Sequence, residues 1–174
     1  MTIMLKNYIK FILIIFSLIV VGQEKDLKFP VDFLGVYKGD LTIANAKGKQ
    51  IIPMEFHLKK TDSKDKFDYV LVYDGNARNY TLITKDWEKG IFEVDENNGI
   101  ILPSKYYEGT LFSFFEVQKN LLSTRIQFER DKIFFEILFT NTNNKVTSGD
   151  QSEKIPEVFG YPISTIQKAQ LIKQ

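Results

Sequence analysis

The stretch "YDGNARNYTLI", residues 73–83, places Arg78 between Tyr73 and Tyr80 in a run that otherwise reads as a hairpin arm. A guanidinium keeps its charge at any ordinary pH and offers five donors, and tyrosine hydroxyls add further polar contacts. If Arg78 faces an apolar interior, this trio suits a carboxylate or sulfate head. If it faces water, it is an ordinary surface charge. Its direction therefore decides the chemistry.

Catalysis has little to draw on elsewhere. The chain has no cysteine and one histidine, His57, so nucleophile and base arrangements of the Ser/His/Asp or Cys/His kind lack their parts. Asp95 and Glu96 are adjacent and point to opposite faces of a strand, which prevents them from acting as a carboxylate pair, and "NNG" after them reads as a turn. That segment lacks calcium-loop spacing, and "KGDLT" is not a phosphate-cradling loop. We expect no catalytic residue, no metal ligands and no cofactor, hence a non-enzyme.

The elements that must position Arg78 read as strands. Runs rich in β-branched and aromatic residues occupy 33–44, 50–60, 66–74, 77–86, 91–96, 99–103, 109–118, 121–129, 132–141 and 158–172. Between most of them lie short turn-forming segments such as "NAKGK", "TDSKDK", "DGNA" and "RDK". The pattern predicts an all-β fold, an antiparallel up-and-down β-barrel of about 8 to 10 strands. Residues 141–157, long and polar, are expected to form a mobile loop or lid. The last run is ambiguous between strand and helix; β-branched Ile163, Thr165 and Ile166 favour the strand.

Alternation across each strand then lets one face be followed around the barrel. Turn centres set Tyr37, Leu41 and Ile43 against Leu58, Met54 and Ile52, and Met54, Phe56 and Leu58 against Tyr73, Leu71 and Tyr69. Across "DGNA", Tyr73 falls opposite Arg78 and Leu71 opposite Tyr80, which puts Arg78 on the apolar face at its rim. The candidate ligand-binding set is Tyr37, Met54, Phe56, Leu71, Tyr73, Arg78 and Tyr80, with no acid on their face in the strands so registered. His57 shares the opposite, outward face with Glu55 and Lys59.

In the later hairpins, Phe115, Val117, Leu122, Ile126, Phe128, Ile133, Phe135, Ile137 and Phe139 share a core face. The other face pairs Arg125 with Glu136 beside Phe112, Phe114, Phe134 and Leu138. It is either an outer wall or a cavity wall. Desolvating two ions costs several kcal/mol whereas an exposed pair is nearly neutral, so the outward reading is favoured. That leaves an apolar patch to be covered by the leader, by the last run or by a protein partner at Phe112, Phe114 and Phe134.

At "FLGVYKGDLTI", residues 33–43, the chain resembles the lipocalin and fatty-acid-binding superfamily of barrels, which open on Gly-x-Trp; here Gly35, Val36 and Tyr37 match with tyrosine for tryptophan. The later lipocalin signatures have no counterpart. Fatty-acid-binding proteins hold a carboxylate with Arg-x-Tyr near the C-terminus; Arg78, Asn79 and Tyr80 offer that pattern in the fourth strand, an analogy of geometry. The chain is also similar to uncharacterised exported lipocalin-like proteins of Bacteroidota. The resemblance implies a barrel that sequesters a small apolar or amphiphilic ligand. The alternative is an interaction module with a filled core.

The beginning, "MTIMLKNYIKFILIIFSLIVVGQ", reads as a signal peptide, 1–22, cleaved near Gly22, with 23–174 as one domain. Its apolar core is shorter than the roughly 20 residues of a spanning helix, so secretion or periplasmic export is expected, without stable membrane insertion. Loss of Lys6 and Lys10 brings the 23 basic residues to one fewer than the 22 acidic ones. With no basic cluster there is no expected nucleic-acid partner. Without disulfides the core alone must hold the fold.

Overall fold

Each apolar run becomes a strand, and the turn residues between them set the register. The computed structural model describes residues 27–150 and 154–174; the expected signal segment lies outside them. The strands are β1 (Gly35–Asn45), β2 (Gly48–Lys60), β3 (Lys66–Tyr73), β4 (Asn76–Asp86), β5 (Ile91–Asp95) and β6 (Ile101–Tyr107), then β7 (Thr110–Val117), β8 (Asn120–Phe128), β9 (Lys132–Asn141), β10 (Val146–Ser148), β11 (Val158–Gly160) and β12 (Thr165–Lys173). All but β10 and β11 form a closed antiparallel barrel in the order β1-β12-β9-β8-β7-β6-β5-β4-β3-β2. Neighbours in space are neighbours in sequence except at the seam, where β12 joins β9 to β1.

Two-residue turns carry half of the barrel's hairpins. Asp74–Gly75, Glu108–Gly109 and Gln118–Lys119 each have positive φ at both central positions, the geometry whose twist matches the flanking strands. The expected β2–β3 pairs are all present, including Met54 with Tyr73 and Phe56 with Leu71. On either side the register is displaced by two residues: Tyr37 pairs with Phe56, and Leu71 with Arg78. The reason is that each turn is centred one residue earlier than expected, on Ala46–Lys47 and Asp74–Gly75. An even displacement leaves every side chain on its expected face.

Two expectations about the C-terminal part change. The described residues of the expected loop, 141–150 and 154–157, carry secondary structure of their own. They contain a helical turn at Thr142–Asn144 and β10, which pairs with β11 in a small sheet of its own. The run 158–172 is accordingly two strands, with β12 alone entering the barrel. The strand reading over the helical one is correct.

The barrel has a filled end and a hollow end. The chain enters at the filled end, where a helical turn at Val31–Phe33 carries the buried Phe33 into the interior and Phe29 precedes it. Phe29 stacks on Tyr106 at 4.3 Å, meets Phe92 edge-on at 5.1 Å and lies 4.9 Å from Phe128. Phe33 approaches Phe128, and the Tyr37 hydroxyl donates to the Phe33 carbonyl at 2.7 Å. The leader is thus a plug, not a cover for the outer patch.

At the seam, β1 and β12 come unusually close. The ladder skips Gly39, and a Cβ there would collide with the Gln170 carbonyl, so the position tolerates no side chain.

Phe33 is nearly inaccessible, so Phe33→Ala should remove its transfer free energy and leave a void, costing about 3 to 5 kcal/mol. Urea unfolding measures this; a loss below about 1 kcal/mol would show that the plug is not part of the core.

Candidate functional site

Because the plug fills one end, the inward residues near the opposite turns have no side chains above them. They enclose a cavity of about 220 Å³ at the hollow end, reaching from the mouth down to Tyr69 and Phe135. Its apolar wall includes Leu71, Val94, Leu102, Phe115, Leu122 and Ile126. Tyr69, Tyr73, Tyr80, Arg78, Glu96, Ser113 and Thr124 supply its polar atoms. Few polar groups on a largely apolar wall is the usual make-up of a small-ligand site, although the volume lies below the 300–1,000 Å³ common for drug-sized ligands.

Arg78 faces this cavity from β4. It sits at the exposed rim, with its guanidinium carbon 5.3 Å from the centre of the Tyr73 ring, a cation–π arrangement. It makes no hydrogen bond or ion pair with any described residue. Nor do the hydroxyls of Tyr69, Tyr73 and Tyr80 find a hydrogen-bond partner among the described residues, although Tyr69 is only 6% exposed. Burial raises the Tyr69 hydroxyl well above its ordinary value, with Tyr73 and Tyr80 adding to the effect. Burial also pushes Tyr73 up to about 12, against the pull of Arg78 and with a further push from Tyr80. The Tyr69 and Tyr73 hydroxyls therefore remain donors near neutral pH, with no acceptor among the described residues.

Of the expected binding set, Leu71, Tyr73, Arg78 and Tyr80 line the cavity together. Tyr37, Met54 and Phe56 do not. They are inward, as expected, but lie in the solid core toward the plug, essentially inaccessible. Tyr37 spends its hydroxyl on the Phe33 carbonyl, and burial, with Asp131 contributing, pushes it up to about 12. Following a face identifies inward residues but not how deep the filled part reaches.

Glu96 escapes a search confined to the strands around Arg78. It does lie on the cavity wall, and the signal was the alternation of Phe92, Val94 and Glu96 along β5 and just past its end. Ser113 is also new; it shares a 2.7 Å hydrogen bond with Ser104.

The outer face follows the sequence reading in part. His57 is on the outside, where Nε2 and Glu55 Oε2 lie 2.8 Å apart, and Lys38 reaches the same carboxylate at 2.8 Å. Those two hydrogen bonds hold Glu55 below its ordinary value. Arg125 and Glu136 are direct register partners, but they do not form the expected ion pair. Lys168 on β12 is also opposite Glu136 and takes its carboxylate at 2.8 Å, while Arg125 donates to Gln127 Oε1 at 2.6 Å. Phe114 is 64% exposed; it borders an external groove of about 310 Å³ with Leu138, Tyr161 and Ile163. Among the described residues no cluster of three or more His, Cys, Asp or Glu side chains could hold a metal ion.

No protein-family model matches the chain, and no curated protein matches it in sequence. The fold speaks instead. A closed ten-strand antiparallel barrel is compatible with the calycin-like architecture.

Tyr37, Tyr69 and Tyr73 hold their protons in the folded chain beyond the pH at which unfolded tyrosine ionises. Above about pH 10 the unfolded state therefore binds fewer protons and stability must fall as pH rises toward 12, whereas below that window these groups contribute a constant amount. Urea midpoints between pH 8 and 12, with tyrosinate absorbance followed alongside, measure it. Complete tyrosinate formation near pH 10 with the fold intact would contradict the burial of these hydroxyls.

Proposed function

We propose that this protein is an exported, lipocalin-like binding protein that sequesters a small amphiphilic ligand at the hollow end of its barrel. The observation that carries the reading is a largely apolar cavity whose mouth holds Arg78 and whose wall holds three tyrosine hydroxyls, all without an acceptor among the described residues. Unpartnered donors at a partly desolvated site are costly unless water or a ligand serves them. A carboxylate head near Arg78 and Tyr80 would do so, with its tail along Leu71, Leu102 and Leu122. The small volume favours medium chains, since Met54 and Phe56 leave no channel for a longer one.

The second reading is an interaction module that docks through Phe112, Phe114 and Phe134. Its support is the exposure of Phe114 and the open groove beside it. Export, and kinship with the exported proteins the sequence resembles, remain part of the first proposal on the strength of the N-terminal pattern.

Calorimetry with octanoic acid and octanol separates the two. Arg78→Met should weaken the acid by about 1.5 to 3 kcal/mol, the scale of a hydrogen bond to a charged group, and leave the alcohol unchanged. Equal losses would remove Arg78 as the anchor; no binding of either compound to the wild type would put the interaction module first.

A further inference from the structure

A simple carboxylate anchor leaves Glu96 without a role. This side chain is half-buried on the same cavity wall as Arg78. Extending the β4–β5 register one step past Thr81 and Asp95 sets Glu96 across from Tyr80, which is two residues from Arg78 on the same inner face. Its Oε2 accepts a hydrogen bond from Asn98 Nδ2 at 3.2 Å, and Oε1 has no hydrogen bond among the described residues. Arg78 lies against the Tyr73 ring. Neither charge forms an ion pair with the other or with any other described residue, although five lysine–carboxylate pairs elsewhere among the described residues are closed at 3.3 Å or less.

A cation and an anion that share one mouth without joining act in opposition on any singly charged ligand. A plain carboxylate is attracted by Arg78 and repelled by Glu96; a plain ammonium meets the reverse. A head bearing both charges satisfies both sides, and complementarity of this kind governs choice between ligands more than raw affinity. We propose that the cavity selects a zwitterionic amphiphile, its anionic group toward Arg78 and the tyrosine hydroxyls, its ammonium toward Glu96 and its apolar chain inside. This rests on the binding function proposed above. A cavity of about 220 Å³ equals roughly seven waters at their liquid volume, which suits a compact molecule such as an α-amino acid with a medium apolar side chain.

Titration of the full mature chain with four eight-carbon probes tests this: 2-aminooctanoic acid, octanoic acid, octylamine and octanol. The amino acid should bind wild type at least about ten-fold more tightly than each of the others, on the scale of one charged hydrogen bond. Glu96→Gln should weaken the amino acid about ten-fold and leave octanoic acid equal or tighter, which a loss of fold would not do. If octanoic acid binds wild type as well as the amino acid does, or Glu96→Gln leaves their ratio unchanged, the zwitterion preference is wrong while binding itself stands. If none of the four binds, the binding function falls and this inference with it.

Discussion

Everything in this barrel depends on parity. A side chain faces in or out according to whether its position is even or odd along the strand, and each hairpin turn passes that parity to the next strand. At Asp74–Gly75 the chain uses a two-residue turn with φ values of 48° and 78°. Glycine takes this conformation freely, and aspartate tolerates it better than most residues. One residue more or fewer in that turn would send Arg78, Tyr80 and Leu82 to the outside and bring Asn79, Thr81 and Ile83 in. The cavity's chemistry is in this sense written in its turns.

Parity alone would give a uniformly filled cylinder. The aromatic plug makes the two ends different. Phe29 and Phe33 reach in from the leader and meet Phe92, Phe128 and Tyr106, so large rings consume the space at one end. At the other, Val94, Leu102, Leu122 and Thr124 are too small to meet across the barrel, and the gap persists. A well-packed half thus supplies stability in a chain without cysteines, while the half that holds Arg78 and the three tyrosine hydroxyls is left open.

The number of barrel strands, the strand character of the last run and the facing of Arg78 were legible in the sequence, because all of these follow from local period and turn composition. The inward placement of Phe135 and Ile126 and the outward placement of Phe114 and His57 were legible for the same reason. Depth was not. Tyr37, Met54 and Phe56 have the same pattern signature as Leu71, and only the path of the leader across the barrel end shows that they lie in solid core. Competition was also hidden: Glu136 has two cross-strand cations, and nothing local indicates that Lys168 prevails over Arg125. The β10–β11 hairpin was missed because each strand spans three residues, too few for a period to appear.

The most direct test of the account is where a bound amphiphile lies. Intermolecular NOEs from the chain of octanoic or 2-aminooctanoic acid to the methyl groups of the labelled protein report this. Contacts are expected to Leu71, Leu102, Leu122 and Ile126 and none to Met54, which sits in the filled half. Contacts confined to Leu138 and Ile163, beside Phe114 on the outer wall, would contradict it and locate the binding surface outside the barrel.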